Sequence, residues 1–131
     1  MIGIDSNILI NILRNKTFAI RLEKYSAEDL CTSEIVVYEI LFGVFASQQF
    51  SEQKLREFYA VLDTFTHIFP IDRKVSLYAA KIAGRLSKSG QTIEHSDALI
   101  AGSLLANGCN KFITENVKDF ERIKELEIIK V

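Results

Sequence analysis

The opening stretch Met1-Ile2-Gly3-Ile4-Asp5-Ser6-Asn7-Ile8-Leu9-Ile10 constrains the fold more than any other part of the chain. A short apolar run stops at Asp5-Ser6-Asn7, after which Ile8, Leu9, Ile12 and Leu13 recur at helical spacing. This reads as strand, acidic turn, helix. In open parallel sheets ligands collect at the carboxyl ends of the strands, and the first strand is commonly central. Asp5 is therefore expected at the middle of a functional edge.

The remaining chain repeats the alternation. Thr17 to Tyr25 reads as a short amphipathic helix and Asp29 to Thr32 as a buried strand. Ser33 is the candidate N-cap of a helix through Phe45 that is apolar nearly all round, and is expected to be buried on most sides. Glu52 to Thr66 reads as an amphipathic helix, His67 to Ile71 as a strand, and Asp72 as the cap of a helix from Arg73 to about Ser89, stopped by Gly90. A helix from His95 to Asn107 ends at Gly108. Then come a strand at Lys111 to Thr114, a polar turn from Glu115 to Asp119, a short helix from Phe120 and a last strand from Leu126 to Val131. Strands alternating with helices predict an α/β fold, a three-layer α/β/α sandwich around a central parallel sheet.

At 131 residues, with no linker or repeat, residues 1–131 are expected to form a single domain. No apolar run approaches the roughly 18 residues needed to span a bilayer, so no membrane association is expected. Strand-like sequence starts at once, leaving no room for a targeting segment, and a cytoplasmic location is expected. Cys31 and Cys109 lack any CxxC or Cys/His pattern and read as buried free thiols.

The formal net charge of −1 does not advertise a polyanion ligand, but the charges are uneven. From Tyr25 through Gln53 there is no Lys, Arg or His, while Glu28, Asp29, Glu34, Glu39 and Glu52 fall inside that window. Asp5 ends an apolar strand, Glu39 interrupts an apolar helix, and Asp97 precedes the uncharged run Ala98 to Ala106. None has a Lys or Arg within four residues, and charges are almost never fully buried unpaired. Such carboxylates must take up protons or share a divalent cation. Asp119, after the Lys111 to Thr114 strand, can reach the same edge. Each acid also has an ordinary explanation: Asp5 as an N-cap, Asp97 as a first-turn complement to the helix dipole, Glu39 on a narrow exposed strip, Asp119 as a turn residue. Together these would require coincidences at one edge of one sheet. Oxygen-only ligands suit Mg²⁺ or Mn²⁺ rather than zinc. No Ser-His-Asp arrangement, P-loop or GxGxxG competes with them.

Four blocks carry a resemblance: Ile4 to Ile10, Val37 to Gly43, His95 to Gly102, and Thr114 to Phe120. In that order they resemble the motifs of PIN-domain ribonucleases, most closely the VapC toxins of type II toxin-antitoxin modules. The resemblance implies a Mg²⁺- or Mn²⁺-dependent endoribonuclease, frequent homodimers and inhibition by a VapB-type antitoxin. It implies Asp5 and Asp97 as metal ligands, Glu39 as the third acid, and Asn7 and Thr114 as hydrogen-bonding supports. Where many members carry Asp, this chain has Asn116. The fourth acid therefore falls to Asp119 or is shared with Glu115, with Asn116 kept as a support and Glu94 as an additional acid. One ion at Asp5 and Asp97 would activate water. A second near Glu39 and Asp119, at a spacing of about 3.5–4 Å, would stabilise the leaving 3′ oxygen, giving a 5′ phosphate.

An RNA substrate also needs cations. Lys81, Arg85 and Lys88 lie at helical steps, and Arg14, Lys16, Arg21 and Lys24 cluster after the first acidic turn. These stripes are candidate phosphate contacts, although such stripes also form ordinary solvated faces. Phe42, Phe45, Phe50, Phe58 and Tyr59 provide either core or a face for self-association or an antitoxin helix. The competing readings are a receiver-like domain, which needs an acceptor Asp after the third strand, a phosphatase with a second Asp at position 7, and a non-catalytic Mg-binding interaction module.

Overall fold

Five parallel strands form the centre of the computed structural model, which describes all residues from Met1 to Val131. They are β1 (Ile2–Ile4), β2 (Leu30–Ser33), β3 (His67–Phe69), β4 (Lys111–Ile113) and β5 (Glu127–Ile129), in the order β3-β2-β1-β4-β5. β1 is central, with Gly3 paired to Cys31 on one side and to Phe112 on the other. The connections α1 (Ser6–Arg14), α2 (Lys16–Ile20), α3 (Glu34–Ala46), α4 (Glu52–Leu62), α5 (Arg73–Lys88), α6 (His95–Ala106) and α7 (Val117–Phe120) complete the α/β/α sandwich. No helix is long and apolar enough to cross a membrane.

The local signals act as their chemistry requires. Asp5, Ser33, Ser51 and Asp72 accept hydrogen bonds from first-turn amides of α1, α3, α4 and α5, satisfying donors that a helix leaves open. Gly90 and Gly108 adopt φ of 76° and 79°, where a β-carbon is disfavoured. The helix expected over Thr17 to Tyr25 breaks instead into α2 and a 3₁₀ turn at Glu23–Tyr25. Neither piece has a fully buried side chain, so little tertiary packing holds the longer helix together.

The core joins Ile2, Ile4 and Phe112 of the sheet to Ile8, Val36, Phe58, Leu104 and Phe120 of the helices. Its buried hydroxyls are all paired: Thr32 donates to the Ile4 carbonyl at 2.8 Å, and Ser33 and Ser103 meet at 2.9 Å. Ser103 thus accounts for the one hydroxyl in the uncharged run of α6. Cys31 and Cys109, 78 positions apart, are buried free thiols whose sulfurs lie 3.5 Å apart.

α3 departs from expectation. Val36, Val37 and Ile40 are buried, but Tyr38, Phe42 and Phe45 are each more than 60% exposed. Uniform apolarity here reflects two different faces, one on the core and one outward. Of the aromatic set, only Phe58 is core; Phe50 and Tyr59 are exposed too, and Phe45 stacks on Phe50 at 5.2 Å.

α5 and α6 make the most intimate helix contact. It depends on Gly102, where a β-carbon would lie 2.8 Å from the Ala79 nitrogen and 2.9 Å from the Val75 oxygen. Backbone cannot yield as a side-chain tip can. Gly102→Ala is therefore expected to lower unfolding free energy by about 1–3 kcal/mol, read as a lower urea midpoint; an unchanged midpoint would show that the helices separate freely.

Candidate metal-dependent active site

The sheet order reverses direction between β1 and β4, and ligands bind in open α/β sheets at such a switch point. Asp5 leaves β1 there, its amide donating to the Ile113 carbonyl at 3.1 Å. Asp5 is 4% exposed, so its position is fixed. Oδ1 accepts from the Ser6 amide at 2.8 Å; Oδ2 accepts from Asn7 Nδ2 at 3.3 Å and from the Thr114 hydroxyl. Thr114 follows β4 and accepts the Asn116 amide at 2.9 Å, while Asn7 Oδ1 accepts the Glu115 amide at 3.2 Å. The turn after β4 is thereby tied to the first turn of α1. Asn116 contributes its backbone, making no side-chain cap bond. Glu115 is exposed and accepts from Asn11 Nδ2 at 2.7 Å.

Glu39 in α3 and Asp97 in the first turn of α6 are half-buried and face this carboxylate. Burial, then repulsion from Asp5 and Asp97, pushes the Glu39 pKa up to about 7. Burial, then repulsion from Asp5, Asp119 and Glu94, pushes Asp97 up to about 6. Burial raises Asp5 as well, opposed chiefly by the Thr114 hydrogen bond. None of the three is in an ion pair. Glu39 Oε1 is buried without any hydrogen-bond partner, a condition native interiors rarely tolerate.

Asp119 lies in α7 rather than in a turn, and pairs with Arg122 at 3.5 Å. Arg122 was not among the cations singled out by sequence, although its i+3 spacing from Asp119 was visible. It donates to the Thr92 carbonyl at 2.6 Å and is the one cation that stabilises the charge on Asp97. Of the other basic candidates, only Arg14 borders the cluster, lining a cavity that Glu39 also lines. Arg14 and Lys16 are exposed at the end of α1 and start of α2. Lys81 and Lys88 line a shallow depression on α5 with Arg85, whose two guanidinium nitrogens are engaged by Glu125 at 2.5 and 2.8 Å.

No three of the acids stand preassembled at ligating distances. The donor set nevertheless fits a hard divalent cation: oxygen only, half-buried, mutually repelling, with one orphaned carboxylate oxygen. The PIN-domain family model matches residues 2–126. The chain belongs to the PIN-domain family. This PIN domain is 31% identical over 127 residues to ribonuclease VapC1 of Haemophilus influenzae strain R2866, spanning 95% of this chain and 92% of that protein. To ribonuclease VapC1 of Rickettsia felis it is 31% identical over 129 residues, 98% and 94% of the two chains. Its fold superposes with a TM-score of 0.85 on VapBC2 from Rickettsia felis bound to a promoter DNA fragment, at 25% identity over 99% and 98% of the chains. VapBC-1 from nontypeable Haemophilus influenzae gives 0.81 at 28% identity over the same shares.

The raised carboxyls make stability depend on pH. Folded Glu39 and Asp97 hold protons that the unfolded chain releases from its ordinary 4.5 and 3.8, so stability falls as pH rises from about 4 to about 7. The EDTA-treated protein is expected to lose urea resistance across that window, Mn²⁺ to restore it at pH 7, and the Glu39→Gln, Asp97→Asn pair to flatten the profile. A slope unchanged by the double variant would dissociate these acids from the effect.

Proposed function

We propose that residues 1–131 act as one catalytic domain, a Mg²⁺- or Mn²⁺-dependent endoribonuclease that is the toxin of a toxin-antitoxin pair and works in the cytoplasm. The observation that carries the reading is the convergence of Asp5, Glu39 and Asp97 on one half-buried space with no cation paired to any of them. The kinship to VapC ribonucleases supports the same assignment.

Asp5 and Asp97 would hold the cation, with Glu39 and Asp119 available to a second. When bound, such an ion offsets the charge of the phosphodiester and lowers the pKa of water. Thr114 and Asn7 aim Asp5 and oppose the protonation that its burial favours. Glu39 Oε1, buried without a hydrogen-bond partner, is free to ligate that second ion or to orient a water toward the phosphodiester. Arg122 steadies Asp119 and eases the charge on Asp97. Arg14, Lys16, Lys81 and Lys88 are the free cations for phosphates, with Arg85 held by Glu125. A single strand enters such a cleft more readily than a duplex.

A VapB-type antitoxin is the expected partner, by kinship to the VapBC complexes. The outward aromatic face of α3, with Phe42 and Phe45, is proposed as the surface on which two copies associate. Phe42→Glu is then expected to convert a dimer to a monomer in sedimentation at micromolar concentration; a wild-type monomer at that concentration would exclude it.

The nuclease reading is tested on single-stranded RNA with Mg²⁺, with Mn²⁺ and with EDTA. Outer supports of metal sites are worth about 10–100-fold, so Asp97→Asn is expected to slow cleavage by more than about a hundredfold, with 5′ phosphates at the wild-type ends. Cleavage that survives EDTA or Asp97→Asn would sink the mechanism. Neutralising Arg14 and Lys16 is expected to lower both the rate and its salt dependence.

A further inference from the structure

We infer that the cavity beside Glu39 is a nucleobase subsite in which Glu57 reads the base next to the scissile phosphate; this rests on the nuclease reading above. The cavity, about 370 Å³ and open to solvent on one side, lies between α1, α3 and the start of α4. Such a volume falls in the range of about 300–1,000 Å³ found for small-molecule sites. Ile10, Leu13, Ile40 and Val44 supply apolar walls suited to a flat ring, and Arg14, Lys54, Glu39 and Glu57 its polar groups.

Three observations select a base of the substrate as the occupant. Glu39 lines the cavity and also faces Asp5 and Asp97, so anything seated there adjoins the carboxylate cluster. Arg14 and Lys54 are in no ion pair, which leaves two cations to meet the flanking phosphates of an anionic chain. Glu57, exposed at the cavity rim, accepts from Gln53 Nε2 at 3.1 Å through Oε1 and leaves Oε2 open to a ligand. A carboxylate oxygen accepts from an exocyclic amino group, whereas the one donor on the free edge of uracil, N3–H, is flanked by two carbonyl oxygens that repel it. The subsite therefore favours an amino-bearing base over uracil, and single-stranded RNA presents its bases splayed and free to enter.

The experiment digests single-stranded RNA oligonucleotides of randomised sequence with the full chain and Mn²⁺, and sequences the ends. Wild type is expected to prefer an amino-bearing base over uracil by about tenfold at one position flanking the cut. Glu57→Gln, on an exposed side chain, is expected to relax that preference toward uracil, because an amide both donates and accepts. Gly43 lines the cavity, and a β-carbon there meets nothing within 4 Å. Gly43→Leu should fill the space, flatten the base profile and raise KM more than it lowers kcat. Should Gly43→Leu fail to fold by circular dichroism, Glu57→Gln alone decides. Base profiles unchanged in the folded variants overturn the subsite while leaving the nuclease intact, and assign the cavity to a protein segment. No cleavage by wild type in Mn²⁺ overturns both readings.

Discussion

Half-burying several carboxylates against one another, with no Lys or Arg paired to the inner three, is the constraint on which the rest of this structure depends. Each loses hydration and each repels its neighbours, so the protonated form gains on the ionised one. The shifts follow the surroundings: Asp5 has three side-chain and one backbone donor to oppose burial, whereas Glu39 Oε1 has no partner. A chain selected only for stability would relieve this strain with a basic side chain or an apolar replacement. Here Arg122, the cation that acts on Asp97, bonds to Asp119 and the Thr92 carbonyl instead.

Topology supplies the convergence. Because β1 is central and its neighbours β2 and β4 diverge in sequence order, the residues after β1 and β4 border one crevice. Asp5 and Thr114 come from those two positions and bond to each other. Gly3 contributes indirectly: its missing side chain lets Leu104 of α6 press against β1, where a β-carbon would lie 2.7 Å from a Leu104 methyl. Gly102 lets the other side of α6 meet α5. Two glycines thus seat the helix whose first turn carries Asp97.

The strand–turn–helix opening, the capping residues and the uncharged stretch Ala98 to Ala106 of α6 were legible because each is a local signal with one physical solution. Asp5, Glu39 and Asp97 were legible as carboxylates whose flanks could not account for them. Arg122 was legible only as a partner three residues from Asp119; its reach to the Thr92 carbonyl and to Asp97 comes from tertiary folding that leaves no local mark. α3 was misread for a related reason: apolarity all round a helix states that water is unwelcome on every face, without saying which neighbour excludes it. Tyr38, Phe42 and Phe45 are outward all the same. The thiols of Cys31 and Cys109 became neighbours only through the pairing of β2 and β4 on either side of β1, which spacing along the chain could not disclose.

The same geometry disposes of the competing folds. A receiver-like site needs its acceptor Asp beside the first strand, but β3 is the outer strand here, separated from β1 by β2. The acid nearest that strand, Asp72, spends its carboxylate on the Val75 amide at 2.9 Å as a helix cap. A phosphatase of the two-aspartate kind would place a general acid at position 7. Asn7 instead donates to Asp5 and accepts from Glu115, joining two turns and carrying no proton to transfer. A non-catalytic Mg-binding module would keep the same acids for its ion, and what separates it from an enzyme is the kinship of the whole domain to the VapC ribonucleases. The raised Glu39 and Asp97 carboxyls suit either kind of site, since burial and mutual repulsion follow from gathering the acids around an ion whatever that ion is used for.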